Sequence, residues 1–261
     1  MGCCCRSFPA MKQSTKYPSG GSAFPQTSHS TIRAIWSLDE LERSGGFEAL
    51  ISAYWMPVYK YLRIRWQRSI DDAKDLTQAF FLEAMEKDFF RTFSPERARF
   101  RTFLRTCLDG FVSNHDKSAK RLKRGGAIEF TSLDFQDAEN QIDLARLEPV
   151  NSVEALFEKE WRRSVFILAL ELFQTRSAQE DRELQFKLFE KYALDGLEDG
   201  RRIKYEDLAR QFGLSTATVT NYLAAARRGF RQAVFDKLRE LTATEVEFRR
   251  EAKALLGVEP E

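Results

Sequence analysis

The amino-acid sequence predicts an all-α fold of two small helical domains joined by an acidic linker. Three observations carry that expectation. Apolar side chains recur at i, i+3, i+4 and i+7 in successive stretches, the mark of helices with one buried face. Glycine (13) and proline (7) are scarce beside 22 phenylalanines in 261 residues, which favours helix over sheet. Between residues 127 and 150 the composition turns acidic and the apolar stripe lapses, as in a flexible linker. The length suits two domains, and 43% hydrophobic residues supply their cores. The expected division is a leader over 1–30, a first domain over 31–126, the linker over 127–150, a second domain over 151–241, and a terminal helix and tail over 242–261.

Residues 1–30 are rich in Ser, Gly, Pro, Thr and Cys without periodicity and read as a disordered leader, in which Met11 competes with Met1 as the start. Cys3, Cys4 and Cys5 are adjacent, so they lack the paired spacing of a zinc site or a disulfide framework. Arg6 stands where N-myristoylation wants Ser or Thr. Phe47, Leu50, Ile51, Tyr54, Val58, Tyr61 and Leu62 form the first helical stripe, and Pro57 predicts a kink in it.

Ser69–Met85 is the next helix. Ala73, Leu76, Thr77, Phe80, Phe81 and Ala84 face inward, and Ser69 with Asp72 has the spacing of a capping box. On its other face Asp75, Gln78, Leu82 and Glu86 line up, acidic with one exposed leucine, a surface suited to a basic partner helix. Phe100, Phe103, Leu104, Cys107, Leu108, Phe111 and Val112 predict a further helix, with Cys107 as core. That helix runs on through Asn114–Arg124, which carries five Lys or Arg against one Asp, to a stop at Gly125 and Gly126. Aromatics followed by a basic, amide-bearing helix end suit an unstacked single strand. Cations hold phosphates there, while aromatic faces and amides take bases.

Val153, Leu156, Phe157, Trp161, Val165, Leu168 and Leu172 predict another helix, and Leu184, Leu188, Phe189 and Tyr192 the core side of the next. Lys204–Arg228 has helix-turn-helix spacing. Ala209 is small where two helices cross, Gly213 sits at a turn that wants positive φ, and Ser215 can cap the second helix. Leu208, Phe212, Leu214, Val219 and Leu223 fill its small core. Such a helix lays its N-terminal half in the major groove. Outward residues include Thr216, Thr220, Asn221, Ala224, Ala225 and Arg228. Asn pairs with adenine and Thr meets the thymine methyl, while Arg227, Arg228 and Arg231 would serve phosphates. Thr242–Leu256 reads as one more amphipathic helix.

The net charge is only +2, so a nucleic-acid binder of this composition needs clustered basic residues, and they are clustered. The longest apolar run, Val165–Leu170, is too short for a membrane span, and no secretory segment appears. A cytoplasmic protein without a membrane association is expected. There is no phosphate-cradling glycine loop, no HExxH and no Ser/His/Asp framework; His29 and His115 are the only histidines. Asp71 and Asp72 suit a helix start rather than acid/base work. Neither an enzyme nor a cofactor or metal is expected.

Asp72-Ala73-Lys74-Asp75-Leu76-Thr77-Gln78, with Phe80-Phe81-Leu82 following, resembles region 2.2 of bacterial sigma-70-family factors. The likeness is closest to the extracytoplasmic-function (ECF) and ECF-like group of planctomycete type, and covers roughly residues 24–256. Phe24-Pro25-Gln26-Thr27 is similar to an FPxT leader of that group, Arg99–Leu104 to region 2.3, Asn114–Arg124 to region 2.4, and Lys204–Arg228 to region 4.2. The resemblance implies a sigma factor that binds core RNA polymerase, through the β′ clamp helices and β flap, and melts promoter DNA. Asp72, Asp75, Gln78, Leu82, Glu83 and Glu86 would then dock polymerase. Arg101, Phe103, Asn114, His115, Lys117, Ser118, Lys120, Arg121 and Arg124 would take the opened −10 strand. Thr216, Thr218, Thr220, Asn221, Tyr222, Ala225, Arg227 and Arg228 would hold the −35 duplex.

The resemblance also implies that the acidic linker threads polymerase channels, and it leaves room for an anti-sigma factor or an upstream kinase pathway. Departures from the family pattern are Ala79 for Glu, Phe103 for Trp, Asp109-Gly110 for Arg-Asn, and Thr220, Tyr222 and Ala225 where cations are usual. Two other readings stand beside it. One is a helix-turn-helix regulator that is not a polymerase subunit. The other is a sigma-like decoy that binds polymerase or an anti-sigma factor.

Overall fold

The computed structural model describes residues 31–119, 133–142, 151–195 and 203–258. The leader, Lys120, Arg121, Arg124 and the glycines at 125, 126, 196 and 200 lie outside them. Among the described residues the chain is all-helical, with ten α-helices. No helix among them is long and apolar enough to cross a membrane.

α1 (Thr31–Ala34) and α2 (Glu40–Arg65) open the fold. The Asp39 carboxylate accepts from the Leu41 and Glu42 N–H groups at 2.9 and 3.0 Å, so α2 begins ahead of the expected stripe. Pro57 lies buried inside α2, which continues to Arg65. α3 (Ile70–Glu86) starts at Ser69, whose Oγ accepts from Asp72 N at 3.1 Å, and buries all six expected residues. A 3₁₀ turn (Phe89–Thr92) leads to α4 (Phe100–Ala119). Phe80, Phe90, Phe93, Phe100 and Phe111 meet edge-to-face across this half, with ring centres 5.1–6.3 Å apart.

Inside the acidic stretch the structure differs from a plain flexible linker. Phe135–Asn140 forms α5, capped by Asp134, and it packs on α2. The Phe135 ring lies 5.4 Å from Trp55 and 5.2 Å from Tyr59. Glu139 accepts from Tyr59 Oη at 2.8 Å and from Arg63 Nε and Nη2 at 2.9 and 2.6 Å. Lys60 Nζ donates to Gln141 at 2.8 Å. A helix this short shows no stripe of its own because its core is supplied by α2.

α6 (Asn151–Gln179) runs against α2 and packs on α7 (Glu183–Glu190); α8 (Tyr205–Phe212) packs on α9 (Thr216–Glu240), which itself lies on α6 and α7. Leu184, expected in the core, is 39% exposed, whereas Leu188 and Phe189 are buried as expected and Phe186 is buried beside them. α10 (Glu245–Leu256) closes the described chain, with Thr244 as its cap.

One buried cluster runs from Ile32 to Ala252 through both halves. Tyr61 meets Phe157 at 5.7 Å, and Lys60 pairs with Glu160 at 2.6 Å where both are nearly inaccessible. Burial lowers the Lys60 pKa against the opposing pull of Glu160.

Candidate nucleic-acid interface

α4 is held in one rotation by its inner and lateral contacts. Phe100, Leu104, Leu108, Phe111 and Val112 are buried. On its flank Asp109 accepts from Tyr61 Oη at 3.1 Å and from Trp66 Nε1 at 2.9 Å, and Asp116 pairs with Arg68. The opposite flank is therefore presented outward, where Gly110, Asn114, His115 and Lys117 are exposed. With the end of α3 it borders an open recess of about 610 Å³, lined by Glu83, Lys87, Phe89, Cys107, Gly110, Phe111, Asn114 and His115. That volume is in the range of small-ligand sites.

The cavity has the chemistry of a base-binding recess. Phe89 gives aromatic surface, and the buried Phe111 forms part of the floor, with the His115 ring 6.0 Å from its own. Asn114 brings an amide with donors and an acceptor. Cys107, expected as plain core, is half-buried and forms part of the wall; burial pushes its thiol up to about 11, so it is uncharged at neutral pH. Lys87 pairs with Glu83 at 2.6 Å at the lip. Glu83 therefore serves the cavity side of α3. The stacking of bases on aromatic faces contributes about 1–3 kcal/mol per base.

Of the residues expected to meet a −10 strand, Asn114 and His115 line this cavity, and Lys117 is exposed beyond it. Ser118 lies in α4, with its side chain outside the described residues, as are Lys120, Arg121 and Arg124. Phe103 is half-buried and packs on Phe93 at 5.3 Å, outside the cavity wall. Arg101 is the clear correction. It is 4% exposed, bonded to Glu158 at 2.5 and 2.7 Å and to Glu251 at 2.6 Å, with its guanidinium 4.4 Å from the Trp161 ring centre. The sequence placed it one residue beyond a buried Phe, but not against carboxylates 57 and 150 positions away.

On the outer face of α3, three of the six residues expected to dock a partner are exposed. Asp72, Asp75 and Glu86 are exposed and Gln78 is half-buried. Leu82 differs, being half-buried rather than exposed. Asp72, Asp75 and Glu86 form no ion pair with the described residues, unlike Glu139, Glu158, Glu251 and Asp236 on the other helices.

In the helix-turn-helix, Gly213 has φ +66° and Ser215 Oγ accepts from Thr218 N at 3.0 Å. The Thr218 hydroxyl is spent in that cap, 2.8 Å from Ser215 Oγ. Thr216, Thr220, Asn221 and Arg228 are exposed, while Tyr222 and Ala225 are half-buried. Arg227 donates to Tyr205 Oη at 3.1 Å and lies 5.1 Å over the Tyr192 ring, which ties α9 to α8. Before Arg227 this face carries no cation.

Phe89, Lys87, Gly110 and Phe111 were not singled out from sequence as site residues. Gly110 was the available signal, a glycine inside a clean helical stripe with open space where a Cβ would stand. Among the described residues no group of three or more His, Cys, Asp or Glu is placed to hold a metal ion. No family model, curated protein or solved structure matches the chain.

Proposed function

We propose that this protein is a sigma-type initiation factor that docks on core RNA polymerase and captures an opened promoter strand. The observation that carries the reading is the cavity between α3 and α4, where Asn114 and His115 stand beside the aromatic surface of Phe89 and Phe111. The other face of α3 carries Asp72, Asp75 and Glu86, which form no ion pair with the described residues, beside the Gln78 amide. One helix thus serves a basic protein partner on one side and an unstacked base on the other. The exposed Thr216, Thr220 and Asn221 at the start of α9 support a separate duplex contact, with Arg228 on phosphate.

Run-off transcription with core polymerase from the source organism, on a library of its promoters, tests the reading. Intact protein should yield specific transcripts, and Asp75→Ala/Gln78→Ala should lose them while keeping its fold. Polymerase binding without transcripts would instead identify a decoy, the reading favoured by the uncharged start of α9. No polymerase binding would leave a plain helix-turn-helix regulator.

A further inference from the structure

Two exposed apolar surfaces of opposite charge lie at the same junction of the fold. The first is the turn into α2, where Leu38 is 99% exposed and Leu41 86%. Asp39, Glu40 and Glu42 flank them, all exposed and none in an ion pair with the described residues. Asp39 accepts from the Leu41 and Glu42 N–H groups, and Ser37 Oγ donates to Glu42 at 2.6 Å. The fold therefore holds both leucines out in solvent.

The second surface is the outer side of α10. Val246 is 78% exposed there, and Arg249, Arg250 and Lys253 follow it at i+3, i+4 and i+7, all exposed on one side of the helix. Arg249 pairs with Glu245 at 3.1 Å in open solvent, while Arg250 forms no ion pair with the described residues. The opposite side of α10 is buried through Glu247, Phe248, Glu251 and Ala252, which fixes the rotation of the helix.

A short chain of contacts joins the two surfaces. Arg33 Nε, just ahead of the leucine turn, donates at 3.1 Å to Ala243 O, just ahead of α10. Trp36 meets Phe93 at 6.4 Å and Phe93 meets Phe100 at 5.1 Å. Glu247 of α10 in turn accepts from the Phe100 N–H at 3.0 Å.

We infer that these surfaces are the two sides of one contact between two copies of this chain, related by a twofold axis. The acidic leucine turn of each copy covers the cationic valine face of the other. A twofold contact uses the same surface on both copies, so that surface must complement itself. An acidic patch beside a basic one does so, because the axis exchanges them. A partner carrying a single sign of charge would set one of the two against its like. Isolated exposed leucines need no explanation. Two within one turn, held out by the fold and matched by an oppositely charged apolar face, form a complementary pair. The apolar side chains supply contact area, and the charges set register and reject wrong pairings. The contact is small, below about 1,200 Å² in all, the class of transient assemblies, and salt should weaken it. It uses no residue of the recess or the helix-turn-helix, so the inference stands apart from the sigma-type reading.

Sedimentation velocity of the full chain from about 1 to about 300 μM spans the range of weak pairs. The mass should rise from that of the 30.3 kDa monomer towards the dimer. Leu38→Ser/Leu41→Ser should raise the dimer Kd at least tenfold, with circular dichroism unchanged. Charge reversal is the sharper arm. Glu40→Lys/Glu42→Lys and Arg249→Glu/Arg250→Glu each set like charges face to face, and each alone should dimerise at least tenfold more weakly. An equimolar mixture pairs opposite charges at both contacts and should restore a dimer within about threefold of the unaltered Kd. Should a double reversal unfold the chain, Glu40→Lys and Arg250→Glu should show smaller losses and the same rescue on mixing. A monomer at every concentration overturns the inference and leaves the leucines to the leader or to another protein. A dimer that the leucine variant forms equally well, or that mixing fails to restore, overturns it too.

Discussion

Gly46 lies where α2 passes α1, and a Cβ there would stand 2.9 Å from both Ala34 Cβ and the Ile35 backbone N. Alanine gains up to about 1 kcal/mol of helix propensity, but backbone cannot move aside as a side chain can. Gly46→Ala should therefore destabilise the protein by about 1–3 kcal/mol, read as a lower urea midpoint. Gly110 is the opposite case, with nothing near its missing Cβ. Gly110→Leu should keep the fold and fill the cavity, so affinity for a fluorescent single strand should fall while the melting temperature holds or rises. Arg101 follows a third rule. Its removal leaves Glu251 buried with only the poorly directed Arg99, and Arg101→Ala should cost about 3–5 kcal/mol in a denaturant titration.

α5 shows how a short element depends on its neighbour. The hydrogen bond from Arg63, above all, holds the Glu139 carboxyl below its ordinary value, against the upward pull of burial. A carboxylate with a depressed folded-state pKa contributes stability above its unfolded value, about 4.3 for Glu. That contribution is lost as pH falls through the lower, folded value. Acidification below about pH 4.3 should release α5 from α2, and Trp55, against which Phe135 packs, should report it by fluorescence. In Glu139→Gln the acid change at Trp55 should be smaller. An identical pH profile in that variant would show that other carboxylates govern the docking. Glu139→Ala should cost about 1.5–3 kcal/mol, the worth of hydrogen bonds to a charged group.

At the scale of the whole molecule the halves share a core, and Lys60–Glu160 sits within it with side chains 2% and 7% exposed. Replacing both members with methionine should be neutral or stabilising by up to about 4 kcal/mol, checked by calorimetry, whereas Glu160→Ala alone should destabilise. Most of the helices were legible in sequence because each shows its own 3.6-residue stripe: Ala73 to Ala84 in α3, and Phe100 to Val112 in α4. The helix-turn-helix was legible for the same local reason, since Gly213 and Ser215 act within a few residues of themselves. α5 was not, because Phe135 and Ala138 are too few to form a stripe until α2 faces them. The outward part of the cavity was half-legible: Asn114 and His115 stood out by residue type, while Phe89 and Cys107 looked like ordinary core. By itself the sequence determined the all-helical class, the inner and outer faces of α3, and the turn before α9, all set by periodicity and capping over a few residues. Only the tertiary structure decided that Arg101 is buried, that Glu247 caps α4, and that the acidic stretch docks on α2. Those choices pair charges from 57 to 150 positions apart, and such pairing depends on where whole helices come to rest.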